Sequence, residues 1–180
     1  MKRFKAAKNY LRSVGRQTVN NAKNFLRTKG IEGSKLEESI SYNLVNGIDG
    51  FVLEFRMSEY GVFLDKGVSG NSKKQYYIDH LGAKRQSPFK YKQKAPPTKV
   101  FEKWIKKKGI KGRSKKTGRF ITTKSLAFAM SRYRMVNGYA GLSFFSKPLN
   151  AVLTKFPKNL LDSIETDILK VLPKKSFNEK

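Results

Sequence analysis

Lysine and arginine side chains are concentrated in one short stretch of the chain. The stretch WIKKKGIKGRSKKTGR, residues 104–119, carries eight cations and no acid. Like charges held this close repel one another, and a polyanion or an acidic protein surface relieves that repulsion. The stretch therefore predicts an electrostatic surface, with a solvated loop as the alternative interpretation. Its cations are Lys106, Lys107, Lys108, Lys111, Arg113, Lys115, Lys116 and Arg119.

The basic stretch does not predict the recognition of particular bases. Its Gly, Lys, Ser and Thr residues provide no row of Asn, Gln or Arg side chains along a helix that enters a groove. Contact with phosphate would instead depend on charge and would weaken with salt through counterion release. We therefore expect sequence-independent contact with DNA or with an acidic partner, and we expect Trp104 to lie in the core.

Catalytic chemistry finds little support in the residue types. His80 is the only histidine and cysteine is absent, so there is no imidazole pair and no thiolate to bind a metal or attack a substrate. Near the C-terminus, Asp162 and Glu165 lie one helical turn apart, where carboxylates usually aid solubility. The stretch KKKGIKGR lacks the spacing and the preceding strand of a phosphate-binding glycine loop. We expect no enzyme, no cofactor and no metal site.

The net charge of +26 is regional. Residues 1–31 hold nine Lys/Arg and no acid, and residues 66–124 hold nineteen Lys/Arg against two acids. Residues 32–65 are acidic overall, with two basic and seven acidic side chains. Two separate basic blocks in a chain with an isoelectric point near 10.3 make nucleic acid the leading candidate partner.

Residues 1–30 are predicted to form a basic amphipathic helix that ends at Gly30. Apolar residues recur at spacings of three and four and form one stripe. Such a helix can grip a phosphate backbone, lie on anionic lipid, or pack on a core with a solvated basic side. Weak apolar residues such as Ala7 and Ala22 argue against lipid insertion, so we expect no membrane contact. The basic stripe includes Lys5, Lys8, Arg12 and Arg16.

The middle of the chain changes periodicity. Alternating apolar and polar residues predict a β-hairpin over residues 40–57, with its turn at 46–50. This hairpin should pack on the first helix. Ser58 is predicted to cap a short helix that begins near Glu59 and ends at Gly67.

The second half combines irregular and helical segments. Residues 68–98 lack periodicity and predict an extended loop or arm. Thr98 and Thr123 are predicted to cap two further helices, the first ending at Gly109. Residues 158–180 predict a C-terminal helix and tail. The expected apolar face of the helix after Thr123 consists of Leu126, Ala129, Met130 and Tyr133.

These elements predict one α+β domain, residues 1–180, in which a small antiparallel sheet packs with about four helices and a long basic loop. At 180 residues, with 38% hydrophobic residues, the chain is able to bury a core. No apolar stretch approaches the roughly 20 residues that span a bilayer, and the N-terminus lacks a signal-peptide core. We therefore expect a soluble protein that acts where it is made.

Four stretches occur in an order that resembles a known family. The stretches are YGVFLDKG, APPTKVFEKWIKKKGI, TGRFITTKSLAFAMSR and FFSKPL, and the resemblance that contains them spans most of residues 35–150. In this order they resemble the neck, head–tail connector or tail-completion proteins of tailed bacteriophages, especially those of Bacteroidetes hosts. The segment SRYRMVNGYAG departs from the simpler, more basic helix end of such proteins.

This resemblance implies a structural role. Such a protein would be made in the host cytoplasm and would assemble in the virion as a homo-oligomeric ring at the head–tail junction. Its partners would be portal, adaptor or tail proteins, together with nonspecific contact to packaged double-stranded DNA. The alternative from a different class is a free-standing, nonspecific nucleic-acid-binding protein, which the charge pattern favours equally.

Aromatic residues beside irregular chain are candidates for subunit contacts, since such side chains often anchor interfaces. Ordinary core packing is the alternative for each of them. The loop 68–98 is expected to reach onto a neighbouring subunit. The candidates are Tyr60, Phe63, Leu64, Phe144 and Phe145.

Overall fold

The computed structural model describes residues 4–47 and 50–171. Within them the chain is α+β, as predicted, with seven helices and three separate two-stranded antiparallel sheets. In chain order the elements are α1 Lys5–Thr28, α2 Lys35–Ser39, β1 Ser41–Asn46, β2 Phe51–Arg56, α3 Glu59–Lys66, β3 Gly67–Ser69, β4 Tyr76–Ile78, β5 Lys84–Gln86, α4 Thr98–Lys108, α5 Thr123–Asn137, β6 Gly138–Ala140, α6 Ser146–Leu153 and α7 Phe156–Val171.

The described residues group into two compact units, a division that the single predicted domain does not make. Unit 1 contains the described parts of residues 1–61, 80–82 and 144–180. Unit 2 contains residues 62–79 and 83–143.

Unit 1 is built on α1, whose predicted apolar stripe from Phe4 to Phe25 is confirmed from Ala7 to Ala22. Phe4 is exposed, and Leu26 is buried in place of the half-buried Phe25. Ala7, Leu11, Val14, Thr18, Ala22 and Leu26 are buried at spacings of three and four. The β1–β2 hairpin packs on this helix, as expected, and pairs Tyr42 with Phe55. Closest approach occurs at Gly15, where an added Cβ would collide with the ring of Tyr42. The predicted hairpin turn includes residues 48 and 49, which lie outside the described residues.

Both ends of α1 are held by carboxylates from other helices. Phe4 precedes the helix with a left-handed backbone and makes no side-chain cap. Asp167 of α7 replaces the cap, because its two oxygens accept the backbone N–H groups of Ala6 and Ala7, each at 2.9 Å. At the other end, the buried Glu37 accepts from Arg27 Nε at 2.6 Å and from the Gly33 N–H at 2.8 Å.

Unit 2 is organised around a crossing of two very short strands. Helix α3 runs directly into β3 and helix α5 into β6, and the strands pair antiparallel with Gly67 opposite Ala140. Gly67 and Gly138 have positive φ angles of 70° and 67°. A Cβ on either residue would overlap the backbone of the opposite strand. Both positions therefore require glycine, because a residue with a Cβ could not combine a positive φ with this close approach of the two backbones.

Residues 68–98 are more regular than the predicted loop. They include most of β3 and all of β4 and β5, and the backbone of Ser69 also bonds to Phe89 and Tyr91. Asp79 fixes the β4–β5 hairpin by accepting from the Ala83 N–H at 2.8 Å and from Arg85 Nε at 2.9 Å. The prediction missed these strands because three residues are too few to display an alternation.

The helices after residue 98 require two corrections. Pro97, not Thr98, occupies the N-cap position of α4, and it makes no side-chain bond. Thr122, not Thr123, caps α5 by accepting the Ser125 N–H at 3.2 Å. Gly109 ends α4 in a left-handed conformation, as predicted.

The buried face of α5 also differs from the predicted one. Tyr133 and Ala129 are exposed and Leu126 and Met130 only half-buried, whereas the small side chains Ala127 and Ser131 are buried together with Met135. Ser131 Oγ donates to the Pro96 carbonyl at 2.6 Å. Small residues allow α5 to lie close to α4, which is why the larger apolar side chains face outward.

The C-terminal part contains two helices, α6 and α7. Pro157 lies in the first turn of α7, where its missing N–H removes no helical bond. Residues 172–180 of the predicted helix and tail lie outside the described residues. Phe144 is completely buried in unit 1. A side chain without exposed surface cannot contact a neighbouring subunit, so the predicted interface role of Phe144 is wrong.

The close approach at Gly15 leads to the first prediction. Gly-to-Ala changes within a helix ordinarily stabilise by about 0.5–1 kcal/mol. Gly15→Ala should instead destabilise by about 1–3 kcal/mol, because the new methyl group displaces Tyr42 from the helix. Urea unfolding followed by circular dichroism measures this difference. The exposed α1 position Asn20→Ala is the control and should not lower stability; equal effects of the two variants would contradict the packing described here.

Candidate nucleic-acid interface

The basic segment Lys106–Arg119 begins in the last turn of α4. Lysines near a helix C-terminus are stabilised by the partial negative charge of the unpaired carbonyl groups, which favours the sequence KKK there. Gly109 then reverses the chain away from the helix axis. All eight cations predicted for this surface are exposed.

The rest of the segment forms a small hairpin. The N–H of Ile121 donates to the Gly112 carbonyl at 3.0 Å, and that of Ser114 donates to the Arg119 carbonyl at 2.9 Å. Between them the N–H of Gly118 donates to the Ser114 carbonyl at 2.8 Å. The predicted basic turn is therefore confirmed, and Lys115 and Lys116 lie at its tip. We call residues 106–121 the basic hairpin segment.

An aromatic residue lies within this segment. The guanidinium of Arg113 stacks over the ring of Phe120, 4.4 Å from the ring centroid, and the two residues form an antiparallel bridge. Phe120 is 62% exposed. Exposed rings among cations are typical of surfaces that bind nucleic acid strands, where bases stack on them. The sequence analysis gave Phe120 no binding role. The available signal was that Phe120 follows Arg113 by seven residues, which places the two on opposite sides of the turn.

The positive charge of the basic hairpin segment is not neutralised within the described chain. The three ion pairs among residues 4–47 and 50–171 join Arg27 with Glu37, Arg56 with Glu54, and Arg85 with Asp79. None includes a cation of the segment. Eight uncompensated charges on one helix end and one hairpin create a strong local positive potential, which attracts a polyanion.

The predicted basic stripe of α1 lies in unit 1. Lys5, Arg12 and Arg16 are exposed and Lys8 is half-buried. A cation at the start of a helix is disfavoured by the helix dipole, and the carboxylate of Asp167 offsets this at Ala6 and Ala7.

The pKa of Asp167 reflects this position. Burial by itself raises the pKa, but the N–H groups of Ala6 and Ala7 and the charge of Lys170 outweigh it, so the pKa lies below its ordinary value of 3.8. The pKa of Glu37 is likewise lowered, first by its bond from Arg27, although burial opposes the shift. The predicted solubility role of C-terminal carboxylates therefore does not extend to Asp167, which is buried.

The remaining candidate interface residues are dispersed. Tyr60 is exposed, Phe63 packs on Phe89 with 4.5 Å between ring centroids, and Leu64 is half-buried. Phe145 packs edge-on against Phe55 at 5.3 Å. Tyr60 and Phe145 belong to unit 1, and Phe63 and Leu64 to unit 2, so their role in subunit contacts stays a prediction.

Metal binding, acid–base catalysis and membrane insertion each require a feature of their own. Among residues 4–47 and 50–171, no group of three or more His, Asp and Glu side chains could hold a metal ion. A concavity of about 400 Å³ on α5 is lined by Ala129, Met130, Tyr133 and Arg134, which supply no acid–base pair. None of the described helices combines the length and the apolar composition needed to cross a bilayer.

Comparison of the chain with protein-family models, curated proteins and solved structures finds no match.

Replacing lysines in the basic hairpin segment should change the salt dependence of DNA binding. Each phosphate neutralised contributes about −0.9 to the slope of log K against log salt. Lys108→Gln, Lys111→Gln, Lys115→Gln and Lys116→Gln together should flatten that slope by roughly 2 to 4 units on duplex DNA. Fluorescence anisotropy with DNA duplexes of unrelated sequence, across a salt series, measures the slope.

The matched control removes the same charge elsewhere. Lys73, Lys74, Lys92 and Lys94 are exposed residues outside the segment. Their combined change to Gln should leave the slope within about one unit of wild type. Equal flattening by the two variants would mean that total charge, not this surface, determines binding.

Asp167 should also influence stability at acid pH. Because its folded pKa is depressed, its contribution is complete above the unfolded value near 3.8 and disappears as pH falls through the lower folded value. Asp167→Asn should therefore lower the melting temperature at pH 7 and reduce the further loss below pH 4. Thermal unfolding from pH 7 to pH 2 tests this, with the exposed Glu32→Gln as control. An acid profile parallel to that of wild type would contradict the cap.

Proposed function

We propose that this chain is a structural protein of a tailed-phage particle that assembles as an oligomeric ring at the head–tail junction, next to the DNA exit channel. The observation that carries the proposal is the basic hairpin segment, whose eight cations are exposed and have no ion-pair partner in the described residues. The protein acts by assembly and not by turnover.

A passage for DNA needs charge without sequence recognition. DNA of any sequence must move through it, so contacts to bases would hinder transit, whereas contacts to phosphate are alike at every step. A ring multiplies the net charge of +26 by the number of copies. The exposed lysines of the hairpin tip have the long, flexible side chains suited to such contacts.

The resemblance to neck and tail-completion proteins is the reason for placing the proposed role in a phage particle. Its quoted stretches coincide with structural elements of the chain: YGVFLDKG is α3 with Gly67, APPTKVFEKWI leads into α4, and TGRFI is the second half of the hairpin. The departing segment SRYRMVNGYAG ends α5 and contains Gly138 and Gly141 of the crossing. In the proposed role the partners are portal, adaptor or tail proteins and packaged double-stranded DNA, and the location is the virion.

A free-standing, nonspecific nucleic-acid-binding protein would use the same basic hairpin segment. The two functions differ in assembly state: the virion protein forms a ring on a portal or tail partner, whereas the free-standing protein binds DNA tightly as a monomer. Phe120, which the cations surround, is the observation that favours this second function.

Protein composition of purified particles tests the proposal. Quantitative mass spectrometry of phage particles produced by infected cells should detect this chain in several copies per particle, in a fixed ratio to the portal protein. The ratio should persist after nuclease treatment and a high-salt wash, because a ring component is held by protein contacts. Absence from intact particles, or loss on washing, would overturn the structural role.

A further inference from the structure

Helix α7 carries an apolar stripe that faces away from unit 1. Leu161, Ile168 and Leu169 are 66%, 49% and 61% exposed. At about 100° per residue these positions share one side of the helix, opposite the buried Asp167. Clustered large apolar residues on a surface usually mark an interaction site. Two exposed acids lie on the same side of the helix: Glu165 is between Leu161 and Leu169, and Asp162 is at the edge of the stripe.

Helix α4 carries a second stripe of opposite charge. Val100 and Trp104 are 62% and 44% exposed, so the expectation that Trp104 is a core residue is wrong. Ile105 instead fills the core beneath α4. Lys103 and Lys107 lie on the same exposed side as Val100 and Trp104. We call these surfaces the α7 acidic stripe and the α4 basic stripe.

We propose that the α7 acidic stripe of one copy packs on the α4 basic stripe of a second copy of this chain. The apolar residues of the two helices would form the centre of the contact, with Asp162 and Glu165 beside Lys103 and Lys107. Each stripe combines exposed apolar and charged side chains on one side of its helix, and the charges of the two stripes are opposite in sign.

Contacts between identical stripes are disfavoured. Pairing two α7 stripes places Asp162 and Glu165 against themselves, and pairing two α4 stripes does the same to the lysines, which costs several kcal/mol in like-charge repulsion. The local exceptions do not reverse these signs: Lys158 is a single cation at the N-terminal end of the α7 stripe, Lys170 lies on another side of α7, and Glu102 of α4 is half-buried.

A contact between two different surfaces is head-to-tail, so each copy leaves one stripe free for the next copy. Repetition of such a contact produces a closed ring when the rotation closes. The inference deepens the proposed function, on whose oligomeric assembly it rests, by naming the surfaces that join neighbouring subunits.

Charge reversal and mixing test the proposal. The acidic-stripe variant combines Asp162→Lys with Glu165→Lys, and the basic-stripe variant combines Lys103→Glu with Lys107→Glu. The wild-type chain should form oligomers in sedimentation velocity experiments at moderate salt. Each variant alone should require about 100-fold higher concentration to assemble.

The mixture of the two variants gives the sharpest result. The retained α4 stripe of the first variant fits the retained α7 stripe of the second, and the two reversed stripes are complementary to each other, so a 1:1 mixture should assemble again with the two variants alternating. A chain with all four changes should assemble again, because the charges of both stripes are reversed together. The control Lys92→Glu with Lys94→Glu, at exposed positions outside both stripes, should assemble like wild type.

Several results would overturn this interface. Normal assembly of either variant alone, or failure of the 1:1 mixture to assemble, excludes the head-to-tail contact. A wild-type chain that stays monomeric, but whose incorporation into particles is abolished by Leu161→Gln with Ile168→Gln, assigns the α7 stripe to a different virion protein. Particle composition separates the two proposals: head-to-tail assembly by a chain absent from virions overturns the phage role and leaves the interface standing.

Discussion

Repulsion among 39 cations, opposed by only 13 acids, is the constraint on which the rest of the structure depends. Four acids are buried in the described part of the chain. Three of them, Glu37, Asp79 and Asp167, each accept at least one backbone N–H. Glu37 and Asp79 also bind an arginine side chain. Acids used in this way stabilise local structure, and the lysines of the basic hairpin segment have no ion-pair partner among the described residues. The folded chain is therefore strongly cationic over its α4–α5 connection, and an external anion would relieve the remaining repulsion.

In unit 2, close approach between backbones holds the elements together. Two helices end at strands of three residues, and four glycines at or beside those strands allow their backbones to approach within van der Waals contact: Gly67, Gly70, Gly138 and Gly141. This crossing joins α3 to α5 without a large apolar core, since small residues also line the α4–α5 contact. Large apolar side chains such as Phe128 and Tyr133 consequently face outward.

Sequence patterns predicted the elements that are long or end at a glycine. The periodicity of α1 extends over six turns, and Gly109 marks the end of α4 because its left-handed conformation is costly for other residues. Strands β3 to β6 were not predictable, because three residues are too few to show an alternation, and β3 and β6 also pair with partners distant in sequence. The roles of Asp167 and Phe144 depend on tertiary position. An acid on an amphipathic helix is expected to be solvated. Only the tertiary structure shows that the N-terminus of α1 lies beside Asp167.

Lysine reactivity in intact particles tests the central claim most directly. Purified particles would be treated with a small acylating reagent before and after release of their DNA, and the modification of each lysine would be quantified by mass spectrometry. Lys111, Lys115 and Lys116 should be protected in DNA-filled particles and become reactive after release, whereas Lys73 and Lys74 should react similarly in both. Equal reactivity of the hairpin lysines before and after release would contradict a surface that faces DNA.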